Sequence, residues 1–325
     1  MSEIDVRTID ASERDAVLDL LAGWLNDRGF FARYFQHDPT FRDDLCLVAA
    51  DGARIMSCLQ VFRKAVRVGD AVLDVGGVGN VYTDPAYRGR GLASALLRQA
   101  IGAMGGHGFD VSLLFATRLA FYGQFGWQSY ARHLTFIAPG AAAMSGQWQI
   151  EPFEADRDLD EVMRLYDRHC AAVSGTTVRD PRYWLGQLRY AGNPDETFLV
   201  ARAGGRIVAY ARSTTLYDFH TIIEHACLPG SGDALADLLC ALHGAAAHLP
   251  GTVAQLSCEE GLEDTLRRRG LSLRTVEDVF WMWRLIDPAR VAAKLRLPVA
   301  ATGDPDFFAR LFPAQRSVYW FSDRF

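Results

Sequence analysis

Apolar and polar positions along this chain follow one succession of periods, and that succession occurs twice. A short strand pattern over Val6–Ile9 leads into helical spacing over Ser12–Trp24, and the same pair returns as Gln149–Phe153 and Asp156–Cys170. Next, Leu47-Val48-Ala49-Ala50-Asp51-Gly52-Ala53-Arg54-Ile55 lines up with Leu199-Val200-Ala201-Arg202-Ala203-Gly204-Gly205-Arg206-Ile207. Each copy is an apolar run, a glycine-centred turn and a second apolar run, which predicts a β-hairpin. Another strand pattern and a helix follow, Ala93–Met104 in the first half and Asp233–His248 in the second. Both halves then close with strand, short helix and strand. The join falls in Pro139-Gly140-Ala141-Ala142-Ala143-Met144-Ser145-Gly146, a linker of small residues. The pattern predicts an α/β (α+β) protein built from one mixed unit in tandem. Its domains are expected at 1–140 and 147–286, with a C-terminal segment at 287–325.

The stretch Val78–Trp127 breaks the symmetry between the halves. Val81-Tyr82-Thr83-Asp84-Pro85-Ala86-Tyr87-Arg88-Gly89-Arg90-Gly91-Leu92-Ala93 reads as a strand entering a glycine-rich loop and then, directly, a helix over Leu92–Met104. That order gathers backbone N–H groups and a positive helix end at one point, which suits a phosphate anion. Gly89 and Gly91 let the backbone turn tightly, and Arg88 and Arg90 add charge beside it. The matching place in the second half is Leu228-Pro229-Gly230-Ser231-Gly232-Asp233. It has no arginine, and its aspartate would repel a pyrophosphate. The second unit therefore reads as a degenerate copy that braces the first and walls an acceptor cleft.

Composition narrows the class. The chain has 325 residues, half of them hydrophobic and 22% charged, which is globular and long enough for two cores. A net charge of −5 argues against nucleic acid as partner. The opening Met1-Ser2-Glu3-Ile4-Asp5 lacks the basic and apolar regions of a signal peptide, and no apolar stretch approaches the length of a membrane span. The expected location is the cytoplasm. The cysteines Cys46, Cys58, Cys170, Cys227, Cys240 and Cys258 form no Cys-x-x-Cys pair and stand at no histidine spacing suited to zinc. They are expected to be reduced core residues, with no metal.

The loop Arg88-Gly89-Arg90-Gly91-Leu92-Ala93 resembles the Arg/Gln-x-x-Gly-x-Gly/Ala signature of the GNAT acetyltransferase superfamily. Phe121-Tyr122-Gly123-Gln124-Phe125-Gly126 resembles its aromatic-Tyr-x-x-x-Gly turn. The resemblance covers residues 4–140, and the tandem arrangement is similar to the Eis (enhanced intracellular survival) branch. It implies two GNAT units with centrally splayed mixed sheets flanked by helices, plus a short C-terminal docking segment. It also implies acetyl-CoA as cosubstrate: Val81, Tyr82 and Thr83 would bind the pantetheine arm, and Arg88, Gly89, Arg90, Gly91, Leu92 and Ala93 the pyrophosphate. The tyrosine that acts as general acid in that branch falls on Tyr122, and the terminal carboxylate that acts as base falls on Phe325. The chain departs from the branch in having only about forty residues after Ile286, too few for the sterol-carrier-like third domain. Hexamer formation and substrate range are not carried over, so a homo-oligomer stays open.

The chemistry can be argued from the residues. Backbone N–H groups on a splayed strand near Val81 would polarise a thioester carbonyl. Tyr122, a phenol ordinarily near pKa 10, would protonate the departing thiolate. A carboxylate on the tail would take the amine proton through water or orient the ammonium. No covalent intermediate is needed. The expected reaction moves acetyl to a primary amine, on a small molecule or a peptide, by direct attack in a ternary complex. Competing readings are another acyl donor or acceptor, as in proteins resembling mycothiol synthase, and a non-catalytic acyl-CoA sensor or scaffold. Bland readings stand beside each residue: Tyr122 packing its ring under the loop, solvated arginines, and a tail that docks for stability alone. The tail Val318-Tyr319-Trp320-Phe321-Ser322-Asp323-Arg324-Phe325 is too aromatic to stay in water, and Asp323 is its alternative carboxylate. Trp24, Phe30, Phe31, Tyr34 and Phe35 are expected to divide between core and acceptor pocket. His220 and Glu224 are expected to satisfy core or surface hydrogen bonds.

Overall fold

The computed structural model describes residues 4–190 and 196–325. The first half runs β1 (Asp5–Thr8), α1 (Arg14–Leu25), α2 (Arg28–His37), β2 (Cys46–Asp51), β3 (Arg54–Val68), β4 (Ala71–Thr83), α3 (Leu92–Gly106), β5 (Val111–Phe115), α4 (Leu119–Gly123), β6 (Gln128–Ser129) and β7 (Arg132–Ile137). The second half repeats it as β8 (Gln149–Pro152), α5 (Ala155–Cys170), α6 (Pro181–Tyr190), β9 (Thr197–Ala203), β10 (Arg206–Leu216), β11 (Phe219–Cys227), α7 (Gly232–Ala245), β12 (Thr252–Ala254), α8 (Leu262–Arg268), β13 (Leu273–Asp278) and β14 (Trp281–Leu285). The chain ends with α9 (Pro288–Leu295), α10 (Phe307–Leu311) and an extended tail. The expected α/β (α+β) class and tandem repeat are both present.

Each half contributes to a seven-stranded mixed sheet. The first has the order β1-β2-β3-β4-β5-β14-β6, and the second β13-β7-β12-β11-β10-β9-β8. The closing strands are exchanged. Arg132–Ile137 from the first half lies between β12 and β13, while Trp281–Leu285 from the second lies between β5 and β6. Packing gives the reason. Trp281, Met282 and Trp283 are each 2% exposed and fill the first sheet's core, whereas Ile137 closes the second. Arg132 on β7 pairs with Asp278 on β13 at 2.7 Å, both nearly buried, which also ties the exchanged strand to its host.

Helices cover both faces of the first sheet. Leu92, Leu96, Leu97, Ala100 and Met104 put one face of α3 against Leu47, Leu59, Leu114 and Trp127. On the other face, α1 and α2 pack Val17, Leu18, Leu21 and Phe31 against Cys46, Val48 and Cys58. The segment after Leu285 packs Val291, Phe307, Phe308 and Phe312 against Trp281 and Trp283. Asp287 caps α9 by accepting from the Arg290 N–H at 2.9 Å, with Pro288 at the first helical position. All six cysteines are free, five of them buried. No helix among the described residues is long and apolar enough to cross a membrane.

Candidate active site

The site begins with a fork in the first sheet. β4 and β5 run parallel from Val75↔Val111 to Val78↔Leu114, and there the pairing stops. On its other edge β4 pairs with β3, but the register slips between Cys58 and Gln60. Asn80 absorbs the extra residue in the left-handed region, at φ 52°. Its side chain donates to Gln60 Oε1 at 3.0 Å, and its carbonyl accepts from the Cys58 thiol. This bulge turns Val81, Tyr82 and Thr83 away from β5. The edge of β4 that faces the fork has no strand partner there among the described residues.

Beyond the fork comes the glycine loop. Asp84 accepts from the Ala86 N–H at 2.9 Å and shapes a short 3-10 turn over Pro85–Tyr87. Gly89 and Gly91 both sit at φ 76°, and Gly91 is the N-cap of α3 with no side-chain cap bond. A Cβ on either glycine would meet nothing within 4 Å. The glycines are therefore required by backbone conformation, and the space above the helix end is open. Arg88 Nε donates to the Thr83 carbonyl at 3.1 Å, and the Arg90 guanidinium lies 5.0 Å from the Tyr87 ring centre. Both arginines are thereby held beside the helix N-terminus, where the backbone dipole is positive.

Tyr122 stands on α4, on the β5 side of the fork. Its ring meets Phe121 and Trp127 edge-on at 5.1 and 6.4 Å between centres. Burial raises the pKa of its phenol, with Arg118 opposing weakly, so the proton is kept at neutral pH. Its hydroxyl makes no hydrogen bond to the protein among the described residues. Of the aromatic cluster, Phe31 and Tyr34 are buried, Phe30 and Phe35 half-buried, and Trp24 exposed while stacked on Tyr82 at 6.0 Å.

The tail crosses the fork. Arg324 stacks its guanidinium 4.1 Å from the ring centre of Phe115, the last residue of β5. Phe325 then lies on β4. A Cβ on Gly77 would come within 2.5 Å of its ring, and one on Gly79 within 3.2 Å of its carbonyl carbon and oxygen. The ring stacks on Phe62 at 5.5 Å. Gly77 and Gly79 thus leave the room that Phe325 fills. Sequence reasoning passed over them, although three glycines in a strand interior were the available signal.

A buried ionic network holds the tail. Arg179 Nη2 donates to Asp323 Oδ2 at 2.8 Å and to Glu224 Oε2 at 2.6 Å, with all three side chains out of solvent. Tyr183 donates to Asp323 Oδ1 at 3.0 Å, Lys64 Nζ to Tyr183 at 2.8 Å, and Tyr210 to Glu224 at 2.7 Å. Burial pushes the Glu224 carboxyl up, but Arg179 and Arg212 prevail and hold it down to about 2. Burial lowers the pKa of Lys64, against Asp38 and Asp323. Asp323 is consequently locked into this network, away from the fork. Glu224 satisfies its hydrogen bonds in the core, and His220 does so with Thr252 at 3.0 Å.

Among the described residues, the corresponding place in the second unit is bridged. β11 and β12 pair only at His220↔Thr252 and Thr221↔Val253, and His225 Nε2 then spans the gap by donating to the Gln255 carbonyl at 2.9 Å. Its loop leads into α7 with Asp233 in the first turn, where it would oppose an anion.

Residues 5–130 match the family model described as an acetyltransferase (GNAT) domain. Over 90% of its length the chain shares its fold with solved GCN5-related N-acetyltransferases. It is similar to a probable N-acyltransferase of Enterococcus faecalis, a conserved protein of unknown function, with TM-score 0.69 and 16% identity over 90% of this chain and 75% of that one. A GCN5-related N-acetyltransferase of Anabaena variabilis gives TM-score 0.68 and 13% identity over the same shares. Eis1 of Mycobacterium abscessus gives 0.59 and 16%, over 90% and 76%. No curated protein matches the chain.

Proposed function

We propose that this chain is a cytoplasmic N-acetyltransferase that moves acetyl from acetyl-CoA to a primary amine by direct attack in a ternary complex. The observation that carries the reading is the fork itself: a bulged strand edge, an uncapped helix N-terminus and a tyrosine converge there, and the tail closes over it. In this reading residues 1–140 hold the catalytic unit, 147–286 the bracing copy and 287–325 the returning segment, with the closing strands β7 and β14 exchanged between the two units. Val81, Tyr82 and Thr83 offer backbone groups to the pantetheine arm. The loop from Arg88 through Ala93 cradles the pyrophosphate on N–H groups and two guanidinium charges. Tyr122 supplies the proton to the CoA thiolate as the carbon–sulfur bond breaks. The carboxylate of Phe325, set against Gly79, receives the amine proton through water as the new carbon–nitrogen bond forms. The acceptor is an amine on a small molecule or peptide.

The test is thiol release from acetyl-CoA across aminoglycosides, polyamines, amino acids and lysine peptides, with acetyl-CoA binding measured alongside. The expected result is turnover of one amine class, with Tyr122→Phe slowing it about 10²–10⁴-fold while acetyl-CoA affinity stays unchanged. Tight acetyl-CoA binding with no release for any amine would support an acyl-CoA sensor. Release only from longer acyl thioesters would assign a different donor.

A further inference from the structure

Three residues far apart in the chain meet where the second unit's fork would open. His169 lies in the last turn of α5, Cys227 ends β11, and Glu259 sits in the turn after β12. His169 Nε2 is 2.9 Å from Glu259 Oε1, and Cys227 Sγ is 3.8 Å from Glu259 Oε2. One ligand atom from each lies within 4.8 Å of the other two. A thiol, an imidazole and a carboxylate at such separations suit a borderline divalent ion better than an alkaline-earth ion. His169 Nδ1 lies 3.2 Å from the Cys227 carbonyl and 3.3 Å from the Cys227 N–H, and in the tautomer that donates to the carbonyl the Nε2 lone pair faces the cluster.

Hydrogen-bond accounting around His225 points the same way. His225 is 1% exposed, and its Nε2 lies 2.9 Å from the Gln255 carbonyl. A carbonyl only accepts, so Nε2 carries the hydrogen and Nδ1 of the neutral ring is an acceptor. That Nδ1 faces Glu259 Oε1 at 3.7 Å and has no hydrogen-bond partner among the described residues, while Glu259 Oε1 is met from the other side by His169 Nε2 at 2.9 Å. Two buried acceptors turned toward each other are costly unless positive charge lies between or beside them.

We propose that His169, Cys227 and Glu259 bind one zinc-class divalent ion, with the fourth position left to water or His225 Nδ1. Binding releases the Cys227 thiol proton to solvent, and the thiolate and carboxylate together neutralise the ion. The ion clamps α5 to β11 and to the turn after β12, at the place corresponding to the first unit's acyl-CoA fork. Trp320 of the tail packs on His225 at 4.8 Å, so the clamp also underlies the tail's path. The degenerate unit would then have exchanged a substrate opening for a structural metal.

Cobalt(II) tests this on the full-length protein after chelator treatment. The expected result is one equivalent bound, with thiolate-to-cobalt charge-transfer absorption that zinc(II) abolishes. Cys227→Ser should remove that absorption, His169→Gln should weaken cobalt affinity at least tenfold, and Cys258→Ser should change neither. Circular dichroism of each variant confirms its fold, and His169→Gln decides the matter if Cys227→Ser does not fold. Absence of the charge-transfer band at saturating cobalt, or its persistence in Cys227→Ser, would overturn the proposal. Neither readout depends on acetyl transfer.

Discussion

The two forks start from the same strand, turn and helix. In the first, β4 and β5 pair through Val78↔Leu114 and then part at the Asn80 bulge, leaving an open edge under an uncapped helix end. In the second, β11 and β12 pair at only two positions, yet His225 bridges to Gln255 and Trp320 covers it. Each unit has its own buried apolar core. What differs is a handful of residues at the fork: the Asn80 bulge and glycine loop in one copy, and the His225–Gln255 contact in the other. The tail links them: Asp323 is anchored by Arg179 of the second unit, whose guanidinium Glu224 also holds, and Phe325 is delivered to Gly77 and Gly79 of the first.

That division of labour can be broken at the anchor. Arg179→Met leaves Asp323 and Glu224 buried without their shared cation, and loss of one partner from such a network costs about 3–5 kcal/mol. Urea unfolding should show that loss, and the tail should become sensitive to proteolysis. An unchanged urea midpoint would mean that the network does not hold the tail.

Acid attacks the same anchor by a different route. The Glu224 carboxyl is held at about 2 against an ordinary 4.5. A depressed carboxylate stabilises the fold above its unfolded pKa and loses that contribution as pH falls from about 4.5 toward 2, at most roughly 3 kcal/mol here. Urea midpoints should fall over that window, and less steeply in Glu224→Gln. Equal slopes would remove Glu224 from the account.

The delivery end is probed by Gly77→Val. Its Cβ would overlap the Phe325 ring, so the tail must shift off β4. A displacement of about an ångström at a reacting group costs on the order of 10²-fold in turnover, while acetyl-CoA binding at the loop should persist. Full activity in this variant would reduce the tail to a structural strap.

The smallest effect sharpens the contrast between the loops. Gly91 and Gly230 sit at φ 76° and 82°, so alanine at either strains the backbone by about 1–2 kcal/mol. Only Gly91→Ala should weaken acetyl-CoA binding, as read by calorimetry. Matching losses from both variants would mean that the second loop also binds the cofactor.

Much of this was legible in the chain. The repeated hairpins, the Arg88–Ala93 loop and the tyrosine turn are local patterns, because strand period, helix period and positive-φ glycines depend on near neighbours. The aromatic tail's need for cover was equally plain. Its destination was not, since that depended on cavities left by Gly77 and Gly79 and on Arg179, whose partners lie 45 and 144 residues away.

Tertiary structure alone decided two further things. The closing strands β7 and β14 crossed between the sheets because the apolar faces of Trp281, Met282 and Trp283 filled the first core. The His169, Cys227 and Glu259 cluster joined residues separated by 58 and 32 positions, so no local spacing could announce it. Local sequence determines which elements form. Which distant elements meet is settled by how buried volume is filled and buried charge is matched across the whole molecule.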